Sequence, residues 1–169
     1  MFTHLLAKDT AVSYALKRQR MPPWIRGWMV IASRGGDGWI WVLVGVVLTL
    51  NGKSDALKAG ILAATLGVIL FLTLKAACRR TRPKESKDWS KLFSPDRFSF
   101  PSGHTTTAFA VVMAVAATWP ESAWWTVPLA VSVAVSRVLL GSHYLTDVLA
   151  GVGLGTVSGL VAAEFCKYF

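Results

Sequence analysis

Apolar residues gather along this chain into four or five long runs. A helix needs about 20 predominantly apolar residues to cross a bilayer core. Ala56 to Ala77 meets that length directly. His104 to Trp119, Ala123 to Leu140 and Leu145 to Cys166 meet it roughly. Gly38 to Leu50 is apolar but short, spanning only about 20 Å at 1.5 Å per residue. Trp24 to Ala32 could extend it, although Gly35, Gly36 and Gly38 interrupt the path. Asp37 is placed to cap the helix that follows. The pattern predicts an all-α integral membrane helical bundle of five transmembrane helices, with six as the alternative.

Residues 1–169 read as a single domain. Its parts are an N-terminal interfacial segment (1–37), a transmembrane bundle (38–169) and a loop at 79–100. Met1 to Arg20 sets Leu5, Leu6, Val12 and Leu16 among Lys8, Lys17, Arg18 and Arg20. That suits a helix lying on the membrane surface; a frayed, solvated terminus is the other reading. The segment holds no apolar stretch long enough for a cleaved signal peptide. In the last predicted helix Gly151, Gly155 and Gly159 recur at four-residue steps. Small residues so spaced let helix backbones approach closely in lipid. Asp147 continues the same face, which therefore points into the bundle.

Composition agrees. Charged residues are 16% of the chain, against about 25% in soluble domains. Most of the eight tryptophans lie near the ends of apolar runs, where an interfacial belt forms. The formal net charge is +9. Juxtamembrane lysines and arginines that attract anionic lipid account for it. No RNA-binding aromatic motif or zinc-finger spacing points to a nucleic-acid partner.

Alternation of the helices carries three clusters to one rim of the membrane. The first is Lys75 with Arg82, at the end of one helix. The second, Ser102, Gly103 and His104, opens the next. The third runs from Arg137 through His143 to Asp147. Arginine forks match phosphate oxygens, and lysine adds a point charge. Ser102 is placed to N-cap its helix, and Gly103 to let a ligand approach the backbone. Unpaired N–H groups at a helix start bind anions. If helical, His143 and Asp147 share a face. A carboxylate bonded to one imidazole nitrogen leaves the other free to attack. No cluster of carboxylates or cysteines has metal-ligand spacing, so neither metal nor cofactor is expected. The three cations could stabilise phosphoryl transfer instead.

Together these residues resemble the phosphatidic acid phosphatase type 2 family, the lipid phosphate phosphatases. Its signature is Lys, six residues, Arg-Pro; then Pro-Ser-Gly-His; then Ser-Arg, five residues, His, three residues, Asp. This chain reads Lys75 to Arg82-Pro83, Pro101-Ser102-Gly103-His104, and Ser136-Arg137 through His143 to Asp147. The resemblance implies a phosphohistidine at His143, charge support and orientation from Asp147, and acid-base work by His104. Lys75, Arg82, Ser102, Gly103 and Arg137 would hold the phosphate. Expected substrates are lipid or isoprenoid phosphates and pyrophosphates: phosphatidate, phosphatidylglycerophosphate, undecaprenyl pyrophosphate or lipid A. Vanadium haloperoxidases share the likeness but are soluble.

A phosphotransferase using the same site, or a non-catalytic lipid-binding protein, are the competing readings. The expected location is a bacterial inner membrane. The excess of basic residues on the site face puts that face in the cytoplasm, whereas many bacterial relatives face the periplasm. Both orientations stay open.

Overall fold

The computed structural model describes residues 2–83 and 98–168. They form α1 (Phe2–Arg18), α2 (Pro23–Gly35), α3 (Trp39–Leu50), α4 (Ser54–Cys78), α5 (Gly103–Thr118), α6 (Ala123–Leu139) and α7 (Leu145–Phe165), with a single 3-10 turn at Pro120–Ser122. Helices α3 to α7 match the apolar runs within a few residues, α1 takes the helical alternative for the N-terminal segment, and α2 lies within the stretch read as interfacial. Among the described residues the one β-type pairing is an isolated antiparallel bridge between Thr81 and Phe98. Of the 79–100 loop, residues 84–97 lie outside the described residues; Lys84, Lys87, Trp89, Lys91, Phe93 and Arg97 are among them.

Among the described residues, three stretches are long and apolar enough to cross a membrane: α4, Pro120–Leu139 and α7. Together α2 and α3 would make a fourth crossing, bent by 73° at the glycines between them. At 16 residues α5 is shorter, about 24 Å long at 1.5 Å per residue. The expected count of five therefore holds only if α5 is included; length alone gives three or four. Asp37 does not cap α3, because Gly38 occupies the N-cap position.

Helix α5 forms the centre, packed between α4 and α7. Small side chains make that possible: Ala59, Ala63, Ala110, Ala114 and Ala162 are all fully buried where the three helices meet. The glycine face of α7 presses directly on α5. A Cβ on Gly159 would stand 2.5 Å from the Ala110 carbonyl oxygen, and one on Gly155 would overlap that of Thr106. Close backbone approach of this kind substitutes for the hydrophobic drive that lipid removes. Large apolar side chains point outward instead. Trp39, Leu50, Ile61, Leu72, Leu149 and Leu160 are exposed, as a surface solvated by acyl chains requires.

Helix α1 lies across the ends of α6 and α7, with Asp9 and Ser13 buried beneath it. Helix α4 ends where Arg79 turns left-handed (φ 48°), a stop that glycine more often makes. The break sends Arg80, Thr81 and Arg82 across the rim toward α7.

Candidate active site

The third cluster is built on the turn between α6 and α7. Gly141 takes φ +71° there, and a Cβ on it would collide with the methylenes of Lys17 from α1. The Arg137 carbonyl accepts the N–H groups of both Ser142 and His143. His143 is thereby held against the end of α6, with 1% of its surface exposed.

His143 lies ahead of α7, not on it, which corrects the expected helical pair with Asp147. Its Nδ1 stands 3.6 Å from Asp147 Oδ2, beyond a hydrogen bond. Nδ1 instead meets the carbonyl oxygen of Ser99 at 2.8 Å. A carbonyl only accepts, so Nδ1 carries the proton. In the neutral ring the lone pair is then on Nε2. The tautomer expected from a carboxylate is thus set by a backbone carbonyl.

Ser99 is itself pinned. Its N–H donates to the Arg80 carbonyl at 2.8 Å, and its hydroxyl reaches the Thr81 carbonyl at 3.2 Å. The two ends of the 79–100 loop therefore clasp each other beneath His143. Asp147, fully buried, accepts from the Tyr144 N–H at 2.9 Å and from Arg80 Nη1 at 2.8 Å. It caps its own helix in a capping box with Tyr144.

Groups from all three clusters bear on the His143 ring. Burial, then the charges of Arg137, Arg82, Lys75 and His104 in that order, push the His143 pKa well below its ordinary value. Arg137 is almost wholly buried and donates through Nη1 to the Ser33 hydroxyl of α2 at 2.5 Å. Lys75, also buried, lies 5.3 Å from the Phe71 ring centre. Arg82 is half-buried just past the end of α4.

The second cluster departs from expectation in two details. Ser102 does occupy the N-cap position of α5, but its side chain makes no capping hydrogen bond. Its hydroxyl accepts from Thr105 Oγ1 at 3.0 Å instead, and its N–H donates to the Asp147 carbonyl. At Gly103 the missing side chain leaves room for Phe71, whose ring a Cβ would meet at 3.0 Å. The glycine serves helix packing on that side.

His104 Nε2 stands 2.5 Å from Asp37 Oδ1. Asp37, read from the sequence as a helix cap, is a partner of the site's second histidine. Ser33, Asp37, Arg80 and Ser99 all touch site groups without belonging to any of the three clusters. Asp37 carries the one signal that could have pointed to it: a lone acid between two glycines, on the rim where the cations gather. Among the described residues, no three His, Cys, Asp or Glu side chains group as metal ligands would.

Known proteins are similar to this chain in sequence and in fold. Decaprenylphosphoryl-5-phosphoribose phosphatase of Mycobacterium tuberculosis is 34% identical over 137 residues, covering 80% of this chain and 69% of that protein. Lipid A 1-phosphatase of Rhizobium etli is 30% identical over 159 residues, covering 79% and 68%. The crystal structure of a transmembrane PAP2 type phosphatidylglycerolphosphate phosphatase from Bacillus subtilis superposes with a TM-score of 0.75 at 26% identity. That match covers 98% of this chain and 88% of the other. Residues 57–169 match the model of the PAP2 superfamily. This all-α membrane protein belongs to the PAP2 superfamily.

Proposed function

We propose that the chain is a metal-independent phosphatase that hydrolyses a lipid or isoprenoid phosphate or pyrophosphate through a phosphohistidine at His143. The observation that carries this is the Ser99 carbonyl on Nδ1. It leaves the Nε2 lone pair free to attack, on a ring where the charges of Arg137, Arg82 and Lys75 all act. A phosphoryl group drawn in by those cations meets an unprotonated nucleophile.

In the first step Nε2 attacks phosphorus and the bond to the lipid oxygen breaks. Protonated His104 gives its proton to that oxygen. In the second, His104 takes a proton from water, the hydroxide attacks phosphorus, and the N–P bond breaks to release phosphate. Positive charge grows on the His143 ring as the N–P bond forms. Asp147, 3.6 Å away, stabilises it through space. Lys75, Arg82 and Arg137 stabilise the equatorial oxygens without reorganising, the role a magnesium ion has in other phosphoryl transfers. Ser102 and Gly103 contribute the start of α5, whose dipole favours an anion.

The relatives named above act on phosphorylated membrane lipids, which supports that substrate class here. Their bacterial origin supports an inner, cytoplasmic membrane. The test is phosphate release from a panel of lipid and polyprenyl phosphates in detergent with EDTA present. Wild type should turn over at least one member, and His143→Ala should turn over none. Equal rates in the two would refute the role of His143.

A further inference from the structure

We propose that helix α1 is part of the catalytic apparatus, with Asp9 and Arg80 as positioning residues that set His143 through Asp147 and the start of α7. This rests on the reading of His143 as the nucleophile. Neither residue belongs to the three clusters.

Arg80 reaches His143 by two routes. Its backbone carbonyl holds the Ser99 N–H at 2.8 Å, and the Ser99 carbonyl in turn holds Nδ1. Its guanidinium bridges two acids: Nη1 to Asp147 at 2.8 Å and Nη2 to Asp9 at 2.7 Å. The same Nη1 donates to the Thr146 hydroxyl at 2.8 Å. The planar fork is further fixed by stacking 4.1 Å from the ring centre of Tyr144, the residue after His143. A lysine could not span both acids.

Asp9 completes the arrangement from α1. Its Oδ1 accepts the Thr146 N–H at 3.1 Å, and its Oδ2 meets the Thr146 hydroxyl as well as Arg80. One turn further along α1, the Ser13 hydroxyl accepts the Leu145 N–H at 2.9 Å. The first N–H groups of a helix have no partner within it. Here two of them are satisfied by side chains from a helix more than a hundred residues away. With Lys17 lying over Gly141, α1 crosses the whole turn that carries His143.

The charges explain why the acid is needed. Arg80 alone would add a fourth cation beside a histidine that the other three already act on. With Asp9 and Asp147 it forms a unit of net charge −1. That unit supports the positive charge which develops on His143 during attack.

The experiment uses the full chain in detergent and the variants Asp9→Asn, Arg80→Lys, Ser13→Ala and the double variant Asp9→Asn/Arg80→Lys. Asp9→Asn keeps the shape and an acceptor for Thr146 while removing the charge. In Asp9→Asn kcat should fall ~10- to 100-fold, as misplacement of a reacting group by an ångström or so does. The substrate KM and the inhibition constant of orthovanadate should stay within about threefold, because the phosphate cradle is untouched. The double variant should lose little more than Arg80→Lys alone, since the residues act in one chain. The ¹⁵N spectrum of the histidines gives a readout that needs no turnover. His143 should be the Nδ1–H tautomer in wild type and a mixture of tautomers in Asp9→Asn. An unchanged kcat and tautomer in Asp9→Asn would overturn the proposal. So would losses in all variants that track only the folded fraction. If wild type releases no phosphate while Asp9→Asn still alters the tautomer, the reading of the function fails and the positioning role stands.

Discussion

The carboxylate of Asp37, at the break between α2 and α3, stands 2.5 Å from Nε2 of His104 in the first turn of α5. A carboxylate there holds the ring in one orientation. Protonated His104 is the form that the proposed first step consumes. Asp37→Asn should therefore lower kcat ~10- to 100-fold, with orthovanadate inhibition nearly unchanged. Steady-state kinetics with one lipid phosphate checks this. A rise in KM with kcat intact would assign Asp37 to substrate binding instead.

Arg82 tests the cradle. It follows the end of α4 and acts on His143 alongside Lys75 and Arg137. Arg82→Lys keeps the charge and loses the planar fork. Turnover should fall by about tenfold or more, equivalent to ~1.4 kcal/mol of transition-state binding. Near-normal kcat/KM in the lysine variant would mean that charge alone suffices.

The pH profile tests the nucleophile. His143 attacks as the neutral ring, and burial followed by the Arg137 charge holds its pKa well below 6.5. The free enzyme should therefore keep its nucleophile as pH falls past the ordinary histidine value. The acidic limb of kcat/KM should lie below that value. Arg137→Gln removes a nearby cation, so the pKa rises and the limb should move to higher pH, in addition to any loss of rate. A limb that stays in place would separate it from His143.

The glycine face of α7 sets stability. A Cβ at Gly155 would overlap the Thr106 carbonyl and crowd Phe109, whereas one at Gly153 meets nothing within 4 Å. Gly155→Ala should destabilise the bundle by about 1–3 kcal/mol, as overpacking does. Gly153→Ala should be neutral or slightly stabilising. Thermal unfolding in detergent distinguishes them; equal melting temperatures would contradict the packing account.

Much of this was legible in the sequence because it depends on periodicity and local spacing. Apolar run length gave the helices, and the four-residue glycine step gave the face of α7 that meets α5. Counting helix crossings brought Lys75, Arg82, His104, Arg137 and His143 to one rim, and the charges of the other four act on the His143 ring. What failed was inference from local spacing where the contact is made by distant chain. His143 and Asp147 are four apart, yet the turn before α7 lets the Ser99 carbonyl, 44 residues away, take Nδ1. Asp37 sits where a cap would, but the glycine beside it starts the helix and frees the carboxylate for His104, 67 residues on. Asp9 lies in a segment whose charges suit a membrane surface, and nothing local marks it as the one that turns inward. Such contacts depend on backbone carbonyls and single side chains, which carry no periodic signal.

The proposed reaction passes through a covalent bond between phosphorus and His143. Wild type mixed with a ³²P-labelled lipid phosphate and quenched within milliseconds at alkaline pH preserves an acid-labile phosphohistidine. Peptide mapping should then place the label on the fragment containing His143, with none formed in His143→Ala. Label on another residue, or undiminished labelling in His143→Ala, would contradict the account.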